Sequence, residues 1–170
     1  MYRQDHMKHM RWLGLLLWLA LWCPWALAEV LTGRVIAVAD GDTVTVLDDA
    51  RQQHRIRLVG IDAPENRQPY GHRARQHLAE RVFQRDVEVH YDKRDRYGRI
   101  LGKIILDGED INLMMVRDGM AWHYRQFQRD QRPADRALYA AAEREARAAR
   151  RGLWADPEPQ PPWEFRRQSR

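Results

Sequence analysis

Alternation of apolar and polar side chains is the feature that most restricts what this chain can become. Thr43-Val44-Thr45-Val46, Ile56-Arg57-Leu58 and the set Val87, Val89, Tyr91 repeat every second residue, the spacing of a strand with one buried face. Val35 to Val38 is a short apolar run, and Ile100, Ile104 and Leu106 lie beyond a charged connection. Asp48-Asp49-Ala50-Arg51 reads as a polar turn. The period lengthens to three and four from Gly71 to Val82, where Ala74, Leu78, Ala79 and Val82 fall on one side. Asp110 can cap a short helix through Ile111, Leu113, Met114 and Val116, and Gly119 is placed to end it. A longer helix fits Ala134 to Arg151, with Asp135 in the first turn, Arg150 and Arg151 in the last, and Gly152 after it.

Five short strands with three helices predict a mainly β, α+β fold: a five-stranded barrel of the oligonucleotide-binding (OB) type. The domain is expected to span 29–155, followed by a proline-rich charged tail, 156–170, that is extended or loose. Residues 1–28 read as a secretory signal peptide. Arg3, Lys8 and Arg11 precede an apolar run from Trp12 to Ala28, which ends in Ala26-Leu27-Ala28. The run is 17 residues long and contains Pro24, too short for a comfortable membrane span. The expected destination is therefore the periplasm or the exterior, with an uncleaved membrane anchor as the alternative. Cys23, the single cysteine, lies within this segment, so the remainder is held by core packing without a disulfide. Removing three basic residues and one acid with the signal lowers the formal net charge from +5 to +3. That balance permits a polyanionic partner without demanding one.

The polar residues cluster in three blocks: Asp40-Gly41-Asp42-Thr43, Arg57 through Asp62-Ala63-Pro64-Glu65, and Asp95-Arg96-Tyr97-Gly98-Arg99. Carboxylate oxygens suit a hard divalent cation, and guanidinium forks suit phosphate. Asp42 opens a strand and Asp62 ends one, so both can face one barrel mouth together with the carbonyl of Ala63. Glu65, restrained by Pro64, can take a proton from an attacking water. Arg57 and Arg99 can each hold two phosphate oxygens. Taken singly, each residue has a plainer reading: a hairpin turn for Asp-Gly-Asp, a surface acid, a surface ion pair.

The ordered combination resembles the staphylococcal nuclease (thermonuclease) family from about Leu31 to Trp154. The resemblance implies a Ca²⁺-dependent nuclease that hydrolyses DNA and RNA at the P–O5′ bond and leaves 3′-phosphates. It makes Asp42, Asp62 and the Ala63 carbonyl the metal ligands, Glu65 the general base, and Arg57 and Arg99 the phosphate clamp. Arg96 and Tyr97 fall where the family contacts the terminal phosphate. Ala63 stands where the staphylococcal enzyme has threonine, which a backbone ligand tolerates, and the loop from Glu65 to Tyr70 is shorter. An aromatic of Ala121-Trp122-His123-Tyr124 is expected to stack on a base. Tyr124 is taken for that role, Trp122 serving equally well as core, and His123 as a packed or surface residue. A monomer is expected. The rival reading is a non-catalytic nucleic-acid-binding OB barrel.

Overall fold

The structure is a computed structural model that describes residues 29–168. The signal-peptide reading of residues 1–28 therefore falls outside the described residues.

Strand β1 (Glu29–Asp40) is longer than the apolar run at Val35 to Val38 suggests, because it serves two partners. Its second half pairs antiparallel with β2 (Thr43–Leu47), and its first half with β5 (Asp86–Arg94). Register shifts between Val35 and Ala37 and between Val38 and Asp40 bend it across the barrel. β2 pairs with β3 (Gln53–Leu58), and β5 with β6 (Ile100–Leu106). A parallel pairing of β3 with β6, Ile56 opposite Ile100 and Leu58 opposite Gly102, closes the barrel. The five strands of the OB barrel are those expected. Two short strands, β4 (Ile61–Asp62) and β8 (Trp122–His123), form a separate pair at its mouth, and β7 (Glu109–Asp110) extends the edge of β6.

The period-two positions fill the interior. Val44, Val46, Ile56, Val89, Ile100 and Ile104 have no exposed surface. Gly102 lies so close inside that a Cβ there would come within 2.4 Å of Val89 Cγ1. Helix α1 (Gly71–Val82) closes one end with Ala74, Leu78 and Val82, all fully buried. Helix α2 (Ile111–Arg117) begins at the cap expected for it: the Asp110 carboxylate accepts from the Leu113 amide at 2.9 Å. Helix α3 (Pro133–Ala148) packs on α2 and contributes Tyr139 and Ala142. It stops three residues before the predicted Arg151. Arg150 and Gly152 turn through positive φ, and a Cβ on Gly152 would meet the Gly119 carbonyl at 2.2 Å.

The tail departs from expectation. Beyond a 3₁₀ turn at Gly152–Ala155, a fourth helix, α4 (Pro162–Gln168), forms where an extended or loose end is predicted. Two physical causes are visible. Pro161 and Pro162 preset the backbone for a helix start, and Glu164 lies in its first turn. Trp163 then packs against a second apolar cluster of Trp122, Ala146, Leu153 and Trp154. Partial burial of this one large aromatic offsets part of the ordering entropy of so short a segment.

Candidate active site

The barrel mouth opens into a cleft of about 740 Å³. Its floor comes from the turn between β1 and β2, the end of β3, β4 and the loop after it. The β5–β6 connection and Tyr124 complete its lining. All nine residues singled out from the sequence line it: Asp42, Arg57, Asp62, Ala63, Glu65, Arg96, Tyr97, Arg99 and Tyr124.

Asp42 arrives at the floor because β2 begins there. Its amide donates to Asp40 Oδ1 at 3.0 Å, and its carbonyl accepts from the Leu58 amide at 2.8 Å. Its carboxylate accepts from the Ala63 amide at 2.7 Å and the Thr43 hydroxyl at 3.2 Å. The turn cannot be looser: a Cβ on Gly41 would lie 2.7 Å from the Cβ atoms of both Ala63 and Ala74. Asp62 is fixed from the other side by β4, where it pairs with Trp122. The two carboxylates share Arg57, whose Nη2 is 2.8 Å from Asp62 Oδ1 and 3.2 Å from Asp42 Oδ2. Arg57 Nη1 donates to the carbonyls of Leu58 and Ile61, both at 2.9 Å. The guanidinium is thus held in place before any substrate arrives.

Burial dominates the electrostatics of this floor. It pushes the Asp42 carboxyl up to about 8, against the pull of Arg57, and the neighbouring charges of Asp40 and Asp62 push the same way. Asp62 is raised for the same first reason, opposed by Arg166 and Arg57. Burial also works against the charge on Arg57, yet Asp42 and Asp62 hold it above the ordinary arginine value. Four carboxylates (Asp40, Asp42, Asp62 and Glu65) meet two guanidiniums at this corner, Arg57 and Arg166. Formal negative charge exceeds positive here, and two of the four carboxylates, Asp42 and Asp62, are buried, a setting that favours a further cation. The donor set is hard oxygen, the type a divalent alkaline-earth ion takes. Among the described residues, no three or more His, Cys, Asp or Glu side chains are grouped as a metal cage. A cation here would therefore rest on Asp42, Asp62, backbone oxygen and water.

Glu65 is set differently. It lies on an irregular loop with its side chain 38% exposed, and its amide donates to Gln68 Oε1 at 3.2 Å. Arg99 is organised by Asp95, whose Oδ2 accepts from Arg99 Nε at 2.7 Å while its Oδ1 accepts from the amides of Tyr97 and Arg99. Gly98, at φ +79°, lets the turn close tightly enough for that double cap. Tyr97 remains 68% exposed between the guanidiniums of Arg96 and Arg99, at 4.9 and 5.6 Å from its ring centre. Tyr124 follows β8, its amide donating to the Gly60 carbonyl at 2.9 Å. Trp122 and His123 are buried, so core packing takes Trp122 and the packed reading takes His123.

Two residues at the cleft escape the sequence reading. Asp95 is the first, and its signal is an Asp opening the Asp95-Arg96-Tyr97-Gly98 turn, a residue type that caps turn amides, four positions before Arg99. Arg166 comes from α4 and donates to both Asp62 and Glu65. No local pattern points to it, because it lies 104 residues from Asp62 in a segment expected to be extended or loose.

Comparison with known proteins points to one family. Residues 55–156 match the family model described as "Staphylococcal nuclease homologue". An "Uncharacterized endonuclease" of Escherichia coli is 43% identical over 92% of this chain and 97% of its own length. A "Micrococcal nuclease" of Shigella flexneri is 44% identical over 81% of this chain and 82% of its own. A "Probable staphylococcal-like nuclease" of rice (Oryza sativa subsp. japonica) is 44% identical over 70% of this chain, which spans 34% of it. Sequence pattern, barrel topology and these likenesses converge, and the chain belongs to the staphylococcal nuclease family, as a hydrolase of the nuclease class.

Proposed function

We propose that this protein is a secreted or periplasmic, Ca²⁺-dependent nuclease that hydrolyses DNA and RNA at the P–O5′ bond, leaving 3′-phosphate ends. The observation that carries the reading is the buried carboxylate pair Asp42 and Asp62 around Arg57, in one cleft with Glu65 and Arg99. The likeness to nucleases supports the substrate class. The signal-like residues 1–28 support export. Among the described residues, no helix is long and apolar enough to cross a membrane.

Asp42, Asp62 and the Ala63 carbonyl are the groups that would hold the cation, which supplies charge neutralisation and Lewis-acid polarisation of the scissile phosphate. Glu65 accepts the proton of the attacking water; unlike the buried Asp42 and Asp62, its side chain is 38% exposed and can meet water directly. Arg57 and Arg99 donate to the non-bridging oxygens as phosphorus becomes five-coordinate. Both are braced by carboxylates beforehand, so little reorganisation accompanies the charge build-up. Tyr97 offers a ring face at the cleft edge, and Arg96 a second positive group for a terminal phosphate. The named cleft groups are suited to phosphate and ring stacking rather than to base edges, so cleavage is expected across sequences.

The test is digestion of single-stranded DNA and of RNA with Ca²⁺ or with a chelator, beside Glu65→Gln. Cleavage that needs both Ca²⁺ and Glu65 is expected. Near-normal turnover by the variant would remove Glu65 as base. Binding without cleavage under every condition would make the protein a nucleic-acid-binding barrel instead.

A further inference from the structure

Helix α4 carries a guanidinium into the carboxylate corner. Arg166 Nη2 lies 2.8 Å from Asp62 Oδ2, and its Nη1 lies 3.2 Å from Asp62 Oδ1 and 2.7 Å from Glu65 Oε1. Asp62 Oδ1 also accepts from Arg57 at 2.8 Å. A carboxylate offers about four acceptor positions. Three of those of Asp62 are taken, two of them by Arg166, and both of its oxygens are covered. A divalent ion cannot gain a full hold on Asp62 while this arginine is seated.

The arm that delivers Arg166 is anchored at three points. The Trp163 ring stacks on Tyr124 at 5.3 Å and 10° and meets Trp122 edge-on at 5.5 Å. Gln68, in the loop that bears Glu65, donates to the Gln160 carbonyl. The same stacking covers one face of Tyr124, the ring expected to receive a base. One short helix therefore lies on both the cation corner and the aromatic platform. A charge tethered so closely acts at high effective concentration.

From this geometry we infer that Arg166 is a positioning residue of the cation site, an internal counter-cation that holds Asp62 and Glu65 together and competes with the divalent ion for them. The inference rests on the proposed function, since it presupposes that Asp62 and Glu65 serve a cation-dependent reaction. When the ion takes Asp62, Arg166 must release it, and the ion pair that Arg166 makes with Glu65 is broken with it. Apparent cation affinity is then lowered by the fraction of time the arm is open.

Isothermal titration of Ca²⁺ into the protein without nucleic acid tests this, with Arg166→Gln, Arg166→Lys and Trp163→Ala beside it. An arm seated about nine-tenths of the time predicts about tenfold tighter binding for Arg166→Gln. Arg166→Lys, which keeps the charge but loses the fork, should fall between that variant and the parent. Trp163→Ala, which frees the arm but leaves Arg166 intact, should tighten binding in the same direction and guards against misfolding of a single variant. Unchanged Ca²⁺ affinity in both Arg166→Gln and Trp163→Ala would overturn the competition. Weaker binding would overturn it too, by showing that Arg166 arranges the carboxylates for the ion. If the parent cuts DNA with Ca²⁺ and only the affinities fail to move, the nuclease reading stands and the role of Arg166 falls. Absence of both Ca²⁺ binding and cleavage in the parent would sink both.

Discussion

Arg57 and Arg99 occupy opposite extremes of preparation. Arg57, its side chain 14% exposed, is held by two carbonyls and two carboxylates and belongs to the floor as much as to the chemistry. Its replacement would leave Asp42 and Asp62 buried without their shared counter-charge, so any loss of activity would be mixed with loss of fold. Arg99 is the cleaner probe, because among the described residues its only side-chain ion pair is with Asp95 at the open wall. Arg99→Ala is expected to lower kcat/KM on single-stranded DNA by 10²- to 10³-fold, about 3 kcal/mol, with an unchanged unfolding midpoint. Asp95→Ala leaves the guanidinium present but unheld and should fall between that variant and the parent. Equal rates in all three, measured by steady-state hydrolysis, would take Arg99 out of the reaction.

At the scale of elements, the joint between α2 and the barrel depends on one side chain. Asn112 is fully buried; its Oδ1 accepts from the Ile104 amide at 3.1 Å, and its Nδ2 donates to the carbonyls of Val59 and Gly102. It thereby ties β6, the exit of β3 and the helix into one unit directly beneath the site. Asn112→Ala should destabilise the protein by about 3 kcal/mol, since buried polar partners are left unsatisfied. Urea unfolding should show a lower midpoint with an unchanged slope; a shift under about 1 kcal/mol would mean that water replaces the amide. The elements themselves were readable wherever periodicity was strong: β2, β3, β6 and α1 each bury the face their spacing implies. Their limits were less so. β1 extends back to Glu29 because pairing with β5 orders residues that have no apolar alternation of their own.

Over the whole molecule, the line between what the sequence discloses and what it hides follows contact distance. Asp42, Arg57, Asp62 and Glu65 lie within 24 positions of one another, and the motif spacing alone brings them together. Arg166 reaches the same corner through a helix held by a tryptophan packed on Trp122 of β8, Ala146 of α3 and the 3₁₀ turn that follows α3, contacts that no local pattern encodes. His123 is a second product of long-range assembly. It lies on β8 where the barrel mouth, α3 and the turn before α3 meet, and it is 3% exposed. Its Nε2 is 2.9 Å from Gln131 Oε1, its amide donates to Glu143 at 3.2 Å, and its Nδ1 has no hydrogen-bond partner. Protonation would bury a cation with one N–H unmatched. Burial accordingly pushes its pKa below the ordinary imidazole value, against the opposing help of Gln131 and Glu143, while the charge of Arg125 adds to the lowering. The sign follows: between the depressed folded value and about 6.5, the unfolded chain binds more protons than the folded one, so stability falls as pH falls. His123 should contribute up to about 1.4 kcal/mol of lost stability per pH unit in that window. His123→Gln is expected to be less stable at pH 8 yet to lose less on acidification from pH 7 to pH 5. Parallel stability–pH curves for the two proteins, from urea unfolding at each pH, would show that His123 does not titrate across folding.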